Sequence, residues 1–189
     1  AIHLHHTWRP SIKDYIGLDT IVSMWRYHTE EKKWSDIAQH LTIAPDGSLW
    51  SGRSWNKPPC SASGNNGTDA VGPFMIEMIG NFDEGHDRFE GRQRDAALDV
   101  IASLLIRFRL SALSAIRFHN EMSGKSCPGS SVNHEKFVKE VTDRMPTLAV
   151  ASKGRSRADS PFGDEALFLN DALEALSARA AAGASRVGT

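Results

Sequence analysis

An α/β domain, with a mixed central β-sheet flanked by helices, is what this sequence predicts. Apolar runs of strand length, closed off by glycine and proline, occur at residues 2–7 and 74–79. A Pro45-Asp46-Gly47 turn separates two further apolar stretches. Between them lie segments whose apolar residues recur at helical spacing, and strands interspersed with helices build a sheet covered by helices.

Taken in order, residues 2–7 read as a short buried strand that the proline of Trp8-Arg9-Pro10 stops. Asp19 is placed to cap a helix reaching Glu31, with Ile21, Val22, Met24, Trp25 and His28 at helical spacing. Residues 37–44 and 49–52 pair as a hairpin across the Pro-Asp-Gly turn. The run at 74–79, between Gly72-Pro73 and Gly80-Asn81, is too short for a helix and forms a central strand. Ala96, Val100, Ile101, Leu104, Leu105 and Phe108 make one stripe of a long core helix over 92–110. Residues 114–119 form the last strand, and 133–145 the closing helix.

Composition changes after Pro146. The stretch SKGRSRADSPFG is small, basic and polar, which marks 147–163 as a linker after a domain at 1–146. Residues 164–189 regain amphipathicity through Leu167, Phe168, Leu173 and Leu176 before a small-residue tail. One amphipathic helix has no core of its own, so docking on its own domain, a protein partner or a membrane surface is expected. The chain's 189 residues suffice for one well-buried domain plus this appendage. A formal net charge of -1 gives no reason to expect nucleic acid as a partner. No apolar run has the length of a membrane span and no signal-peptide pattern opens the chain, so neither is expected from the sequence. Localisation is not legible.

The chemistry concentrates in His119-Asn120-Glu121-Met122-Ser123-Gly124-Lys125-Ser126-Cys127-Pro128-Gly129 and in the opening cluster His3, His5, His6. Together they offer one zinc two imidazoles and one thiolate, leaving a fourth tetrahedral position for water. That is the pattern of catalytic zinc, since structural sites close all four positions with protein. Read singly, His119 is more readily a polar core residue and Cys127 a small buried hydrophobe.

Four segments in this order, AIHLHHT, KKWSDIAQHLTIAPDGSLWSGRSW, PFMIEMIGNFDEG and IRFHNEMSGKSCPG, closely resemble the zinc-dependent N-acetylmuramoyl-L-alanine amidases of the type 2 family, which includes phage amidases and peptidoglycan recognition proteins. The resemblance covers residues 1–146. It implies His5, His119 and Cys127 as zinc ligands. It implies hydrolysis of the amide between N-acetylmuramic acid and L-alanine in peptidoglycan, hence action at the bacterial cell wall. Lys125 matches the lysine that serves phage amidases by offering positive charge to the oxyanion. A non-catalytic peptidoglycan-binding module is the alternative, although such proteins usually lack the zinc cysteine; an amidase-fold hydrolase of another amide is a third reading. Animal members usually carry a disulfide, whereas Cys60 is left unpaired here, which points to a bacterial or phage-type member.

Two departures from the family pattern stand out. Gln39 occupies the place of a tyrosine that assists the zinc water, and an amide cannot act as a general base; it orients water or substrate by hydrogen bonds. Glu77, a charge inside an apolar strand, is then a candidate base facing the cleft, while period-2 alternation turns His40 to the face opposite Gln39. Ser61 stands where the family has a groove-lining histidine, with Asn66 retained after it. Trp50 and Arg53, with Trp55, complete the candidate substrate-binding residues, although tryptophans beside a hairpin also serve as core.

Overall fold

The computed structural model describes residues 1–153. Five strands form one sheet in the order β3-β2-β4-β1-β5, with β1 at Ile2–His6, β2 at Leu41–Ile43, β3 at Leu49–Ser51, β4 at Phe74–Met78 and β5 at Ile116–Phe118. Strands β5, β1, β4 and β2 run parallel and β3 returns antiparallel. The sheet is therefore mixed, as expected, and β4 is its middle strand.

Register divides the residues into two faces. Ile2, Leu4, Leu41, Ile43, Ile76, Met78, Ile116 and Phe118 form one core with helix α2, Gly91–Arg107, and helix α4, His134–Lys153. α2 contributes Ala97, Ile101 and Leu105, and α4 contributes Phe137 and Val141. Arg94 pairs with Glu140 at 2.5 Å, and Arg144 with Asp95 and with Asp99, which ties the two helices together. The other face carries His3, His5, Met75, Glu77 and Thr42 on neighbouring strands, in the registers His3↔Met75, His5↔Glu77 and Thr42↔Glu77. Alternation along each strand thus separates an apolar core from a polar platform.

Several boundaries shift for local reasons. Helix α1 spans Leu18–Arg26 and continues as a π turn to Glu31, but Gly17 is its N-cap and Asp19 lies in the first turn. There Asp19 still complements the helix dipole. Residues 37–40 are buried but outside β2; their backbone bonds go elsewhere, from His40 N to Met75 O and to Gln39 O from Arg53 N. The hairpin turn is as expected, with Gly47 N donating to Ala44 O at 2.9 Å and Gly47 at φ 85. That positive φ is why glycine follows Pro-Asp. A short helix α3, Ala112–Ala115, takes up the start of the segment read as the last strand.

Helix α4 runs through Pro146 to Lys153, beyond the expected end at Met145. Proline removes one helical hydrogen bond, but Met145 and Leu148 on either side both pack against the core. The remainder of the 147–163 linker and the 164–189 helix lie outside the described residues from 154 onward. No helix among the described residues is long and apolar enough to cross a membrane.

Candidate metal centre

The site forms where the polar platform meets the carboxyl ends of the parallel strands, the usual position for ligands in such sheets. β1 delivers His5 onto that face, and β5 ends in a single 3-10 turn, His119–Glu121, that presents His119. Cys127 arrives on the loop that follows. His5, His119 and Cys127 are all buried, and their ligand atoms lie within 4.8 Å of one another. Cys127 Sγ is 3.6 Å from His5 Nδ1, and the two imidazole centroids are 4.3 Å apart.

Local bonding fixes the cysteine loop. Asn120 N donates to Cys127 O at 2.7 Å. Asp83 accepts from Ser126 Oγ and from Ser130 N, while Ser131 donates through N and Oγ to Phe82 O. Gly129, at φ 122, lets the loop touch that segment: a Cβ there would lie 2.3 Å from Phe82 O. His6 faces the core, accepts at Nδ1 from Phe82 N and donates its own amide to Cys127 Sγ at 3.3 Å. The opening triplet of histidines thus divides its labour. His5 joins the cluster and His6 braces it, while His3 Nδ1 is buried without a partner.

Electrostatics fit a cation. Burial, then the neighbouring His119, holds His5 well below the usual imidazole range. Burial and Lys125 lower His119 as well. Both rings are therefore neutral near pH 7, the form that donates a lone pair to metal. Burial pushes the Cys127 thiol up to about 12. His5 Nε2 is buried with no hydrogen-bond partner, and buried polar atoms normally have one. Two neutral imidazoles and a soft sulfur suit zinc, which deprotonates a coordinating thiol outright.

Glu77 is the strand neighbour of His5. Its Oε2 is buried without a partner although the residue keeps some exposure, and burial pushes the carboxyl up to about 7. Gln39 is 0% exposed; its Nε2 donates to Thr42 Oγ1 at 2.7 Å, and Thr42 in turn neighbours Glu77. Lys125 is exposed, and its charge reaches His5, His119 and Cys127. His40 is bound at both nitrogens by backbone, Met75 N and Lys57 O, and stacks on Trp55 at 5.2 Å.

The candidate substrate-binding residues separate. Ser61 Oγ lies 3.5 Å from His5 Nδ1, inside the site. Trp50 lies on edge strand β3, its Nε1 donating to Tyr15 Oη at 3.0 Å. Arg53 is buried, and its guanidinium group is spent on Ile37 O, Asp36 O and Ser35 Oγ. Asn66 Oδ1 accepts from Ala62 N. Arg53 and the Oδ1 of Asn66 therefore brace the loops at 35–37 and 61–66. Thr42 and Asp83 carry no motif signal; only long-range contacts bring them to the cluster.

With a His-His-Cys cluster on the polar face of a mixed five-stranded sheet, the fold is that of the peptidoglycan recognition proteins and type 2 amidases. Among solved structures, the amidase LysC from Clostridium intestinale superimposes with a TM-score of 0.61 at 23% identity, over 75% of this chain and 83% of that one. A Drosophila PGRP-LB mutant in complex with tracheal cytotoxin gives 0.59 at 24% identity, over 71% and 77%. The chain belongs to the N-acetylmuramoyl-L-alanine amidase family, whose model matches residues 1–130. Peptidoglycan-recognition protein SC1a of Drosophila melanogaster is 26% identical over 135 residues, 70% of this chain and 69% of that one. A mouse N-acetylmuramoyl-L-alanine amidase is 25% identical over 139 residues, which span 69% of this chain and 24% of the mouse protein.

Proposed function

We propose that this chain hydrolyses the amide between the lactyl group of N-acetylmuramic acid and L-alanine in peptidoglycan, with zinc held by His5, His119 and Cys127. The observation that carries the reading is the convergence of these three side chains beside Glu77, whose Oε2 is buried without a partner. Zinc, when bound, supplies Lewis acidity, polarising the amide carbonyl and acidifying water. Glu77 takes the proton of the attacking water and passes it to the departing nitrogen of alanine. Burial raises this carboxyl above the usual carboxylate range, which suits it to take the proton and to return it. Lys125 offers its ammonium to the oxyanion that attack creates. Gln39 works through Thr42, steadying the neighbour of Glu77. Ser61, beside His5, borders the bound substrate. The substrate puts the site of action at the bacterial cell wall.

The test is digestion of purified sacculi with and without a chelator, with mass analysis of what is released. Free stem peptides beginning with L-alanine, lost on chelation and restored by zinc, are expected. Binding to sacculi without any release would assign the chain to the recognition modules; release of other fragments would redirect it to a different bond.

A further inference from the structure

Trp8 stands two residues beyond the end of β1, the strand that carries His5, and is 53% exposed. It sits at φ 57, a backbone region that bulky side chains rarely adopt. Arg9 N donates to Thr7 O across it, a γ-turn of the rare positive-φ form. The surroundings impose this conformation. Trp8 N donates to Gly80 O at 3.0 Å, Thr7 N to Met78 O, Gly80 N to Thr7 Oγ1, and Thr7 Oγ1 to Pro10 O at 2.6 Å. Such over-determined outliers gather at functional sites.

The ring itself is outside the core cluster. Arg9 covers one indole face, with Cζ 4.9 Å from the ring centroid. Three residues before Trp8 stands His5 of the ligand cluster, so Trp8 lies no more than about 11 Å along the chain from it. We propose that Trp8 is the sugar platform of the cleft, its open indole face stacking on the pyranose ring that bears the scissile lactyl amide. An indole suits that ring because it offers a flat apolar face to the sugar's C–H face while the hydroxyls stay in water. The guanidinium of Arg9 holds the plate from behind. This inference rests on the amidase reading.

Two soluble substrates separate the contributions: an N-acetylmuramoyl peptide, and the matching lactoyl peptide, which keeps the scissile amide but has no sugar. Trp8→Ala should raise KM for the muramoyl peptide by about tenfold, with a far smaller effect on the lactoyl peptide. Trp8→Phe should recover most of the loss, and zinc content should not change. Equal losses on both substrates, or no loss on either, would overturn the proposal. If the wild type cleaves neither substrate, the amidase reading fails, and calorimetric binding of the muramoyl peptide decides the platform: weaker binding by Trp8→Ala supports it, equal affinity refutes it.

Discussion

Replacing Glu77 by glutamine keeps the shape of the side chain and removes the carboxylate beside His5. Burial pushes this carboxyl up to about 7. A base with that pKa is about one-tenth ionised at pH 6 and about nine-tenths ionised at pH 8, so a limb centred there would raise kcat roughly tenfold between them. A bound dication favours the carboxylate and moves the limb below 7 in the zinc-loaded protein. General-base catalysis contributes about 10²–10⁴-fold, so Glu77→Gln should lower kcat by that factor with zinc still bound, and the limb should vanish. The metal-free protein gives an independent check through linkage. A carboxyl whose folded pKa exceeds its ordinary 4.5 costs stability as pH rises from about 4.5 to about 7. Wild type should therefore lose Tm across that window, and Glu77→Gln should lose less. The assay is release of L-alanyl peptide from a muramoyl peptide across pH, with zinc quantified in each sample. A variant within tenfold of wild type that keeps the limb would refute the assignment.

Further outcomes follow from the same site. Lys125→Ala should reduce turnover by about a hundredfold at constant zinc content, the size of a lost oxyanion donor, as measured by steady-state kinetics. Gln39→Ala should cost less turnover than Lys125→Ala, because its amide is enclosed and reaches Glu77 only through Thr42. Zinc affinity, measured by competition with a chelator, should rise about tenfold per pH unit between 6 and 8, since the high Cys127 pKa makes binding release one proton and the neutral imidazoles release none. Gly129→Ala should lower both Tm and zinc retention, because its Cβ would collide with Phe82 O. Arg53→Ala should lower Tm by removing three loop hydrogen bonds, with little effect on turnover of the folded protein.

Legibility in the sequence tracks how local the cause of each feature is. The hairpin turn is set by three consecutive residues, and the middle strand by its glycine and proline borders, so both are readable directly. The polar platform follows from alternation alone, which is why Glu77 is recognisable as a misplaced charge. The roles of Arg53 and Asn66 are not, because nothing in a sequence says that a guanidinium will be consumed by Ile37 and Asp36 carbonyls. Alternation turns His40 away from Gln39, but that Met75 and Lys57 backbone atoms occupy both its nitrogens is a tertiary fact. The continuation of α4 through Pro146 depends on apolar burial by Met145 and Leu148, a tertiary term that outweighs a local one. The brace of His6 and Asp83 on the cysteine loop is likewise invisible until 80–83 and 126–131 are in contact.

His5, His119 and Cys127 are proposed to hold one metal ion with sulfur as a ligand. Cobalt(II) substitution reads this directly, because a cobalt ion bound to thiolate shows a sulfur-to-metal charge-transfer band that nitrogen and oxygen ligands do not produce. One cobalt per chain is expected, with that band present in the wild type and absent in Cys127→Ser. Stoichiometric cobalt without the band in the wild type, or a band that persists in Cys127→Ser, would contradict it.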